Sequence, residues 1–182
     1  MREGDVMKHD PGGKRRPEWP SDSMVDTNFS DCGRYRYGLS EIWDKERPLV
    51  MFLMMNPSVA GHEYADPTII KTGKYARAWG YGGQLVGNIH AYRVTDSARL
   101  TEAADPVGPK NDAALIYMAR NAEIIVLAYG LPPKQLRPRA ATVVAKLKEN
   151  FSLKFLKLTK DGTPSHPLYL KSDLLPTDFR AK

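Results

Sequence analysis

The sequence predicts an α/β protein built as a three-layer sandwich with a mainly parallel central sheet. Short apolar runs at 49–55, 84–92 and 123–130 are bounded by Pro or Gly and read as buried strands. Helical patterns fill the gaps between them, and no internal repeat or low-complexity block breaks the alternation.

Residues 1–30 mix Pro, Gly and both charges without an apolar period. Such a segment cannot offset the entropy of its own ordering, so it is expected to be a flexible extension before a single α/β domain at 31–182. In "CGRYRYGLSEIWD", Tyr35, Tyr37 and Leu39 alternate with Arg34, Arg36 and Gly38, the period of a strand or hairpin arm. "LVMFLMM", Leu49 to Met55, is continuously apolar and reads as a central strand. Asp66-Pro67-Thr68 supplies an N-cap followed by Pro at the first helical position, and Gly80 ends the helix expected over 67–79. "QLVGNIHAY" is the next strand. Asp105-Pro106 and Gly108-Pro109 then lead into a helix carrying Leu115, Met118, Ala119 and Ala122. "EIIVLAYG" is the third core strand, residues 138–149 form an amphipathic helix, and "LKFLKLT" is the fourth.

Parallel strands bring their carboxyl ends to one edge, where the following loops converge. Four loops are expected there, beginning at Asn56-Pro57-Ser58, at Asn88 to Arg93, at Tyr129-Gly130 and at Thr159 through "KDGTPSHPL". Asn56 offers a paired donor and acceptor suited to a base edge, against the plainer role of a turn residue. Ser58 suits a phosphate or its own loop. Asn88, Tyr92 and Arg93 follow a strand; Tyr92 can stack a base and Arg93 can fork a phosphate, or Arg93 can brace the loop against Asp96. Tyr129 places an aromatic at the third loop. His166, between Pro164 and Pro167, is held in an extended loop and suits stabilisation of a developing oxyanion or general acid work. His62, Glu63 and Asp66 do not have the spacing of a helical metal site, and neither a metal nor a cofactor is expected. Asp66 or Glu63 remains a candidate to place a water.

Apolar residues make up 42% of the chain and charged ones 26%, and no apolar run reaches membrane-helix length, so no membrane partner is expected. The start lacks the apolar run of a secretory signal and Cys32 is the single cysteine, so a reducing, cytoplasmic setting is expected. Residues 1–30 are nearly balanced in charge, with five Lys/Arg and six Asp/Glu, which leaves about +7 on the body of a chain whose net charge is +6. There Lys134, Arg137, Arg139, Lys146, Lys148, Lys154, Lys157 and Lys160 have one acidic neighbour in sequence, Glu149. Lys134, Arg137, Arg139 and Lys160 are the candidates for a nucleic-acid backbone, the alternative being a solvated helix face. A P-loop and a G-x-S-x-G elbow are both absent, and Gly80-Tyr81-Gly82-Gly83 follows a helix rather than a strand.

The segments "RYRYGLSEIWD", "MMNPSVA", "DPTI", "ARAWGYGG", "VGNIHAYRVTD", "ADPVGPKNDAAL" and "LTKDGTPSHPLYL" resemble, in order and spacing, the bacterial and phage family of unknown function number 1643, over about residues 32–170. Tyr129-Gly130 stands where that pattern has Trp-Gly. A more distant resemblance is to the uracil-DNA glycosylase fold, to which Asn56-Pro57-Ser58 and His166-Pro167-Leu168 are similar in position and type. Leu168 replaces a Ser of that pattern and no Asp sits beside Asn56. The resemblance implies base flipping into a pocket at the strand ends.

The expected function is an enzyme acting on a nucleobase or nucleotide in DNA, with DNA or a nucleotide as its partner. It would be a glycosylase-like hydrolase, or a transferase modifying a hypermodified base in phage or bacterial DNA. His166, Asn56 and Asp66 are the catalytic candidates, with Ser58, Asn88, Tyr92, Arg93 and Tyr129 binding the substrate. The alternative is a non-catalytic nucleic-acid or modified-base binding protein, or a small-nucleotide enzyme.

Overall fold

The computed structural model describes residues 16–179. Its centre is set by residues 49–54, apolar at every position. A strand covered on both faces needs that pattern, because alternate side chains point to opposite sides. The strands in chain order are β1 (Met24–Phe29), β2 (Arg36–Ile42), β3 (Leu49–Met54), β4 (Gly83–Asn88), β5 (Ile124–Leu127), β6 (Leu153–Phe155) and β7 (Thr177–Asp178). The helices are α1 (Pro67–Ala78), α2 (Asn111–Arg120) and α3 (Arg137–Lys148). Val50, Phe52 and Met54 pack with Ile69, Tyr75 and Ala76 of α1. Met51 and Leu53 pack with Leu115 and Met118 of α2 and with Val143 and Leu147 of α3. Helices therefore cover both faces of the sheet.

The sheet order is β1-β2-β4-β3-β5-β6-β7. The inner pairs β4/β3, β3/β5 and β5/β6 are parallel, while β1/β2, β2/β4 and β6/β7 are antiparallel. The sheet is thus mixed, which corrects the expectation of a mainly parallel one. The reason is loop length. Residues 43–48 between β2 and β3 are fewer than the dozen or so a parallel crossover needs, so β2 runs opposite to the core strands.

The expectation of a flexible extension up to residue 30 is corrected over the described part of that segment. Residues 1–15 lie outside the described residues, but Met24–Phe29 pairs with β2 as an edge strand. Before it, Trp19 donates its indole N–H to the Gly61 carbonyl at 3.0 Å, and the Ala65 N–H donates to Pro17 O at 3.0 Å. The fourth core strand covers only Leu153–Phe155 of the expected 153–159.

The chain leaves β3 through α1 to reach β4 on one side, then crosses back through α2 to β5 on the other. Connections of one hand that reverse direction must lie on opposite faces, which is where α1 and α2 are found. The loops after β3 and β5 consequently diverge and open a crevice at the carboxyl ends of these neighbouring strands.

The α1 wall of this crevice is fixed by local chemistry. Asp66 Oδ1 accepts the Ile69 N–H at 2.9 Å, Pro67 occupies the first turn, and Gly80 reverses the chain at φ +85°. A buried polar brace holds the same turn to the sheet: Glu41 accepts from Ser23 Oγ at 2.7 Å and from Gln84 Nε2 at 2.6 Å, and Gln84 Nε2 also donates to Ile69 O at 3.0 Å. At its far side α1 is strapped by the C-terminal segment. The Tyr75 hydroxyl donates to Lys171 O and the Trp79 indole donates to Leu174 O. Among the described residues no helix is long and apolar enough to cross a membrane.

Candidate functional site

All four expected loops reach the crevice, where they enclose a cavity of about 340 Å³. Asn56, at the start of the loop after β3, donates its amide N–H to Val94 O at 2.6 Å and to Pro57 O at 3.1 Å, and Val94 N–H donates back to Pro57 O at 3.1 Å. The first two loops are thereby tied together by the side chain assigned to chemistry. Asn56 lines the cavity, but its donor is committed to bracing. The β5 loop turns at Gly130 with φ +69°, and its N–H donates to Pro164 O at 3.0 Å. A Cβ there would lie 3.2 Å from the Cβ of His166, so glycine lets the third and fourth loops touch.

His166 lines the cavity as the cap of a 3-10 turn at Pro167–Tyr169. Its Nδ1 accepts the Leu168 N–H at 3.4 Å, a long bond that is consistent with the tautomer carrying its proton on Nε2. That tautomer can donate to an oxygen. Asp66 also lines the cavity and is 6% exposed, so the cap of α1 is at the same time part of the site. Tyr129 supplies an aromatic wall, and burial pushes its hydroxyl above the ordinary tyrosine pKa.

The most informative lining residue is Asn88, at the end of β4. It is 1% exposed, and neither its Oδ1 nor its Nδ2 has a protein partner. Its backbone is held separately, since Asn111 Nδ2 donates to the carbonyls of Asn88 and Ile89 at 2.9 and 3.1 Å. Leaving a buried polar atom unsatisfied costs about 1–3 kcal/mol. A carboxamide with both ends unpaired is thus a poor structural element and a ready partner for a donor–acceptor edge. Ser58 Oγ is buried without a protein partner in the same cavity.

Arg36 is a lining residue that residue patterning did not single out. It is 2% exposed, its Nη1 donates to Ala60 O at 2.6 Å, and its Nε is unpartnered. Burial pushes its guanidinium down to about 10, partly offset by the Asp66 carboxylate and reinforced by Arg93. It stays charged at neutral pH.

Several expected site residues lie elsewhere. Arg93 is turned away, with its guanidinium 4.7 Å from the centre of the Phe29 ring and Nη1 donating to Gly33 O at 2.9 Å. Tyr92 packs edge-on against Tyr35. His62 and Glu63 are exposed and outside the cavity, which leaves Asp66 as the carboxylate able to place a water there. Among the described residues no three of His, Cys, Asp and Glu are grouped to hold a metal ion.

The basic field is also less free than sequence neighbours imply. Arg139 pairs with Asp112 and donates to Ile89 O at 3.2 Å, Lys146 pairs with Asp112, and Lys154 pairs with Asp178. Arg139 is therefore a brace between α3 and α2. Lys134 and Lys160 are exposed. Arg137 lines a second depression of about 380 Å³, with Asp161 and Thr163, that shares Tyr129 with the main cavity.

Compared with known proteins, the family model described as "Protein of unknown function (DUF1643)" matches residues 36–168. No curated protein and no solved structure matches the chain, so the likeness to uracil-DNA glycosylases receives no support from these comparisons.

Proposed function

The chain belongs to the DUF1643 family, and on that footing we propose that it is an enzyme acting on a nucleobase of DNA, a glycosylase-like hydrolase that receives the base extruded into the cavity at the ends of β3, β4 and β5. The observation that carries this is the Asn88 carboxamide, buried in the cavity with donor and acceptor both unpaired. A pyrimidine or purine edge presents the complementary pair, and the unmet cost of two buried atoms is repaid when such a base binds. The cavity volume is at the small end of the roughly 300–1,000 Å³ of ligand pockets, suited to one base and part of its sugar.

In this reading Asn88 reads the base edge, Tyr129 walls its face, and Asn56 keeps the first two loops in register. Asp66 orients a water and takes its proton as the water oxygen bonds to C1′. The C1′–N bond breaks, its electron pair leaves on the base, and the base is protonated on the ring nitrogen. His166 donates from Nε2 to the base oxygen on which charge accumulates. Hydrolysis is favoured over group transfer because Arg93 and Arg139, which a departing pyrophosphate would use, are engaged away from the cavity. The depression lined by Arg137, next to Tyr129, suits the phosphates flanking an extruded nucleotide.

The test is incubation of single- and double-stranded DNA carrying normal and modified bases, followed by mass spectrometry of released bases and of nucleosides after digestion. A free base with an abasic product is expected. A nucleoside of increased mass would assign transfer instead, and unchanged bases with salt-dependent binding would make the protein a reader and end the catalytic reading.

A further inference from the structure

Arg36 is the cavity residue for which base recognition and hydrolysis leave no task. It opens β2, its backbone N–H donates to Ala91 O at 3.0 Å, and its side chain lines the cavity while almost wholly buried. A buried guanidinium is ordinarily paired with a carboxylate, because the desolvation of an ion costs several kcal/mol. The ion pairs among the described residues do not include Arg36. A single carbonyl, that of Ala60, accepts from it, and Nε is unpartnered.

Two charged groups face it. Asp66 attracts it but has given Oδ1 to the Ile69 N–H, and Arg93 repels it. The same wall carries the unpartnered Ser58 Oγ. Fork and hydroxyl are both suited to one kind of group.

We propose that Arg36 pairs with an anionic oxygen carried by the ligand, so that the cavity selects a base or nucleotide bearing a carboxylate or phosphate over a neutral one. This rests on the nucleobase reading and names the substrate class of the same site. Asn88 then reads the base edge and Arg36 reads the charge beside it. A charge-assisted contact of this kind is worth about tenfold or more in affinity.

The experiment is calorimetric titration of the full chain, wild type and Arg36→Met, with uracil, 5-carboxyuracil, deoxyuridine monophosphate and inorganic phosphate. Wild type is expected to bind 5-carboxyuracil or the monophosphate about tenfold or more tighter than uracil. Arg36→Met is expected to erase that gain and leave uracil binding about unchanged. Whichever anionic compound gains identifies the source of the charge, base substituent or sugar phosphate. Phosphate binding that is lost in Arg36→Met, with no uracil binding by either protein, would retain the anion site and sink the nucleobase reading. Equal wild-type affinities for uracil and both anionic compounds, or a gain that survives in Arg36→Met, would overturn the proposal. Replacing a buried ion by an apolar side chain of similar length is often neutral for stability, which a thermal melt checks. Should that variant not fold, Arg36→Lys, which keeps the charge but not the fork, is expected to weaken the gain, and the wild-type comparison decides by itself.

Discussion

Two buried asparagines meet where β4 ends, Asn88 closing that strand and Asn111 opening α2, and they should respond to the same substitution with opposite signs. Asn88 is 1% exposed and has no protein partner on either amide atom. Asn111 is fully buried and donates to two carbonyls, at 2.9 and 3.1 Å. Leucine keeps the branching and heavy-atom count of asparagine but is bulkier, so neither replacement opens a cavity, and at position 88 the adjoining cavity can take the added bulk. In Asn88→Leu, two unsatisfied buried atoms are removed and apolar contact is added, a gain of about 2 kcal/mol. In Asn111→Leu, the Asn88 carbonyl loses this donor and the Ile89 carbonyl keeps only Arg139, while the unpartnered Asn111 Oδ1 leaves with the side chain, a net loss of about 2 kcal/mol. For a chain of this length each kcal/mol moves Tm by about 2–4 °C, so Asn88→Leu should melt about 4–8 °C higher than wild type and Asn111→Leu lower by a similar amount. The assay is thermal unfolding by circular dichroism at neutral pH, paired with base-binding calorimetry, in which Asn88→Leu should show no binding. A fall in Tm for Asn88→Leu would refute the reasoning, because it would mean that this carboxamide is already satisfied in the free protein and serves the fold.

Gly130→Ala places a Cβ at φ +69° and 3.2 Å from His166 Cβ, so it should cost about 1–2 kcal/mol and lower turnover by shifting His166, read by melting and by product release. Asp66→Ala should lose both the α1 cap, about 1 kcal/mol, and activity, whereas Asp66→Asn keeps an accepting oxygen and should lose activity with little change in Tm. His90 is fully buried, and burial together with the nearby Arg139 charge depresses its imidazole to about 4. The unfolded chain titrates near 6.5 and binds the extra proton between these values, so stability should fall as pH drops from about 6.5 through 4, by about 3 kcal/mol. His90→Gln should flatten that part of the stability profile in chemical denaturation.

Legibility followed the range of each signal. The start of α1 was readable because a cap and a proline act within one turn, and Asp66 and Pro67 do what their types predict. The runs of β3 and β5 were readable because continuous apolarity marks strands covered on both faces. β1 was not, because "MVDTNF" at a half-exposed edge carries an alternation too polar to distinguish from an extension. Arg36 escaped notice because an alternation of Tyr and Arg suggests one wet face, whereas β2 is buried on both. Arg139 was misjudged for a different reason. Its partner Asp112 is 27 residues away, beyond any local count of charges. The four converging loops were legible, since they follow from strand direction, but which of their side chains turn inward depends on packing that spacing does not encode. Asn88 faces the cavity and Arg93 does not, although they are five residues apart.

Asp66 gives the cavity a property beyond binding. Because the residue that caps α1 also lines the site, the helix terminates in the ligand's own chamber, and its opening and the chamber's occupancy share one equilibrium. A ligand that stabilises this terminus should slow amide exchange at Ile69 and Ile70, and the stabilisation should travel along the helix axis to the strap at Lys171 and Leu174. On the proposed reading the C-terminal segment, which touches Tyr75 and Trp79, would then be a remote gauge of whether the chamber is filled, with α1 as the rod between them.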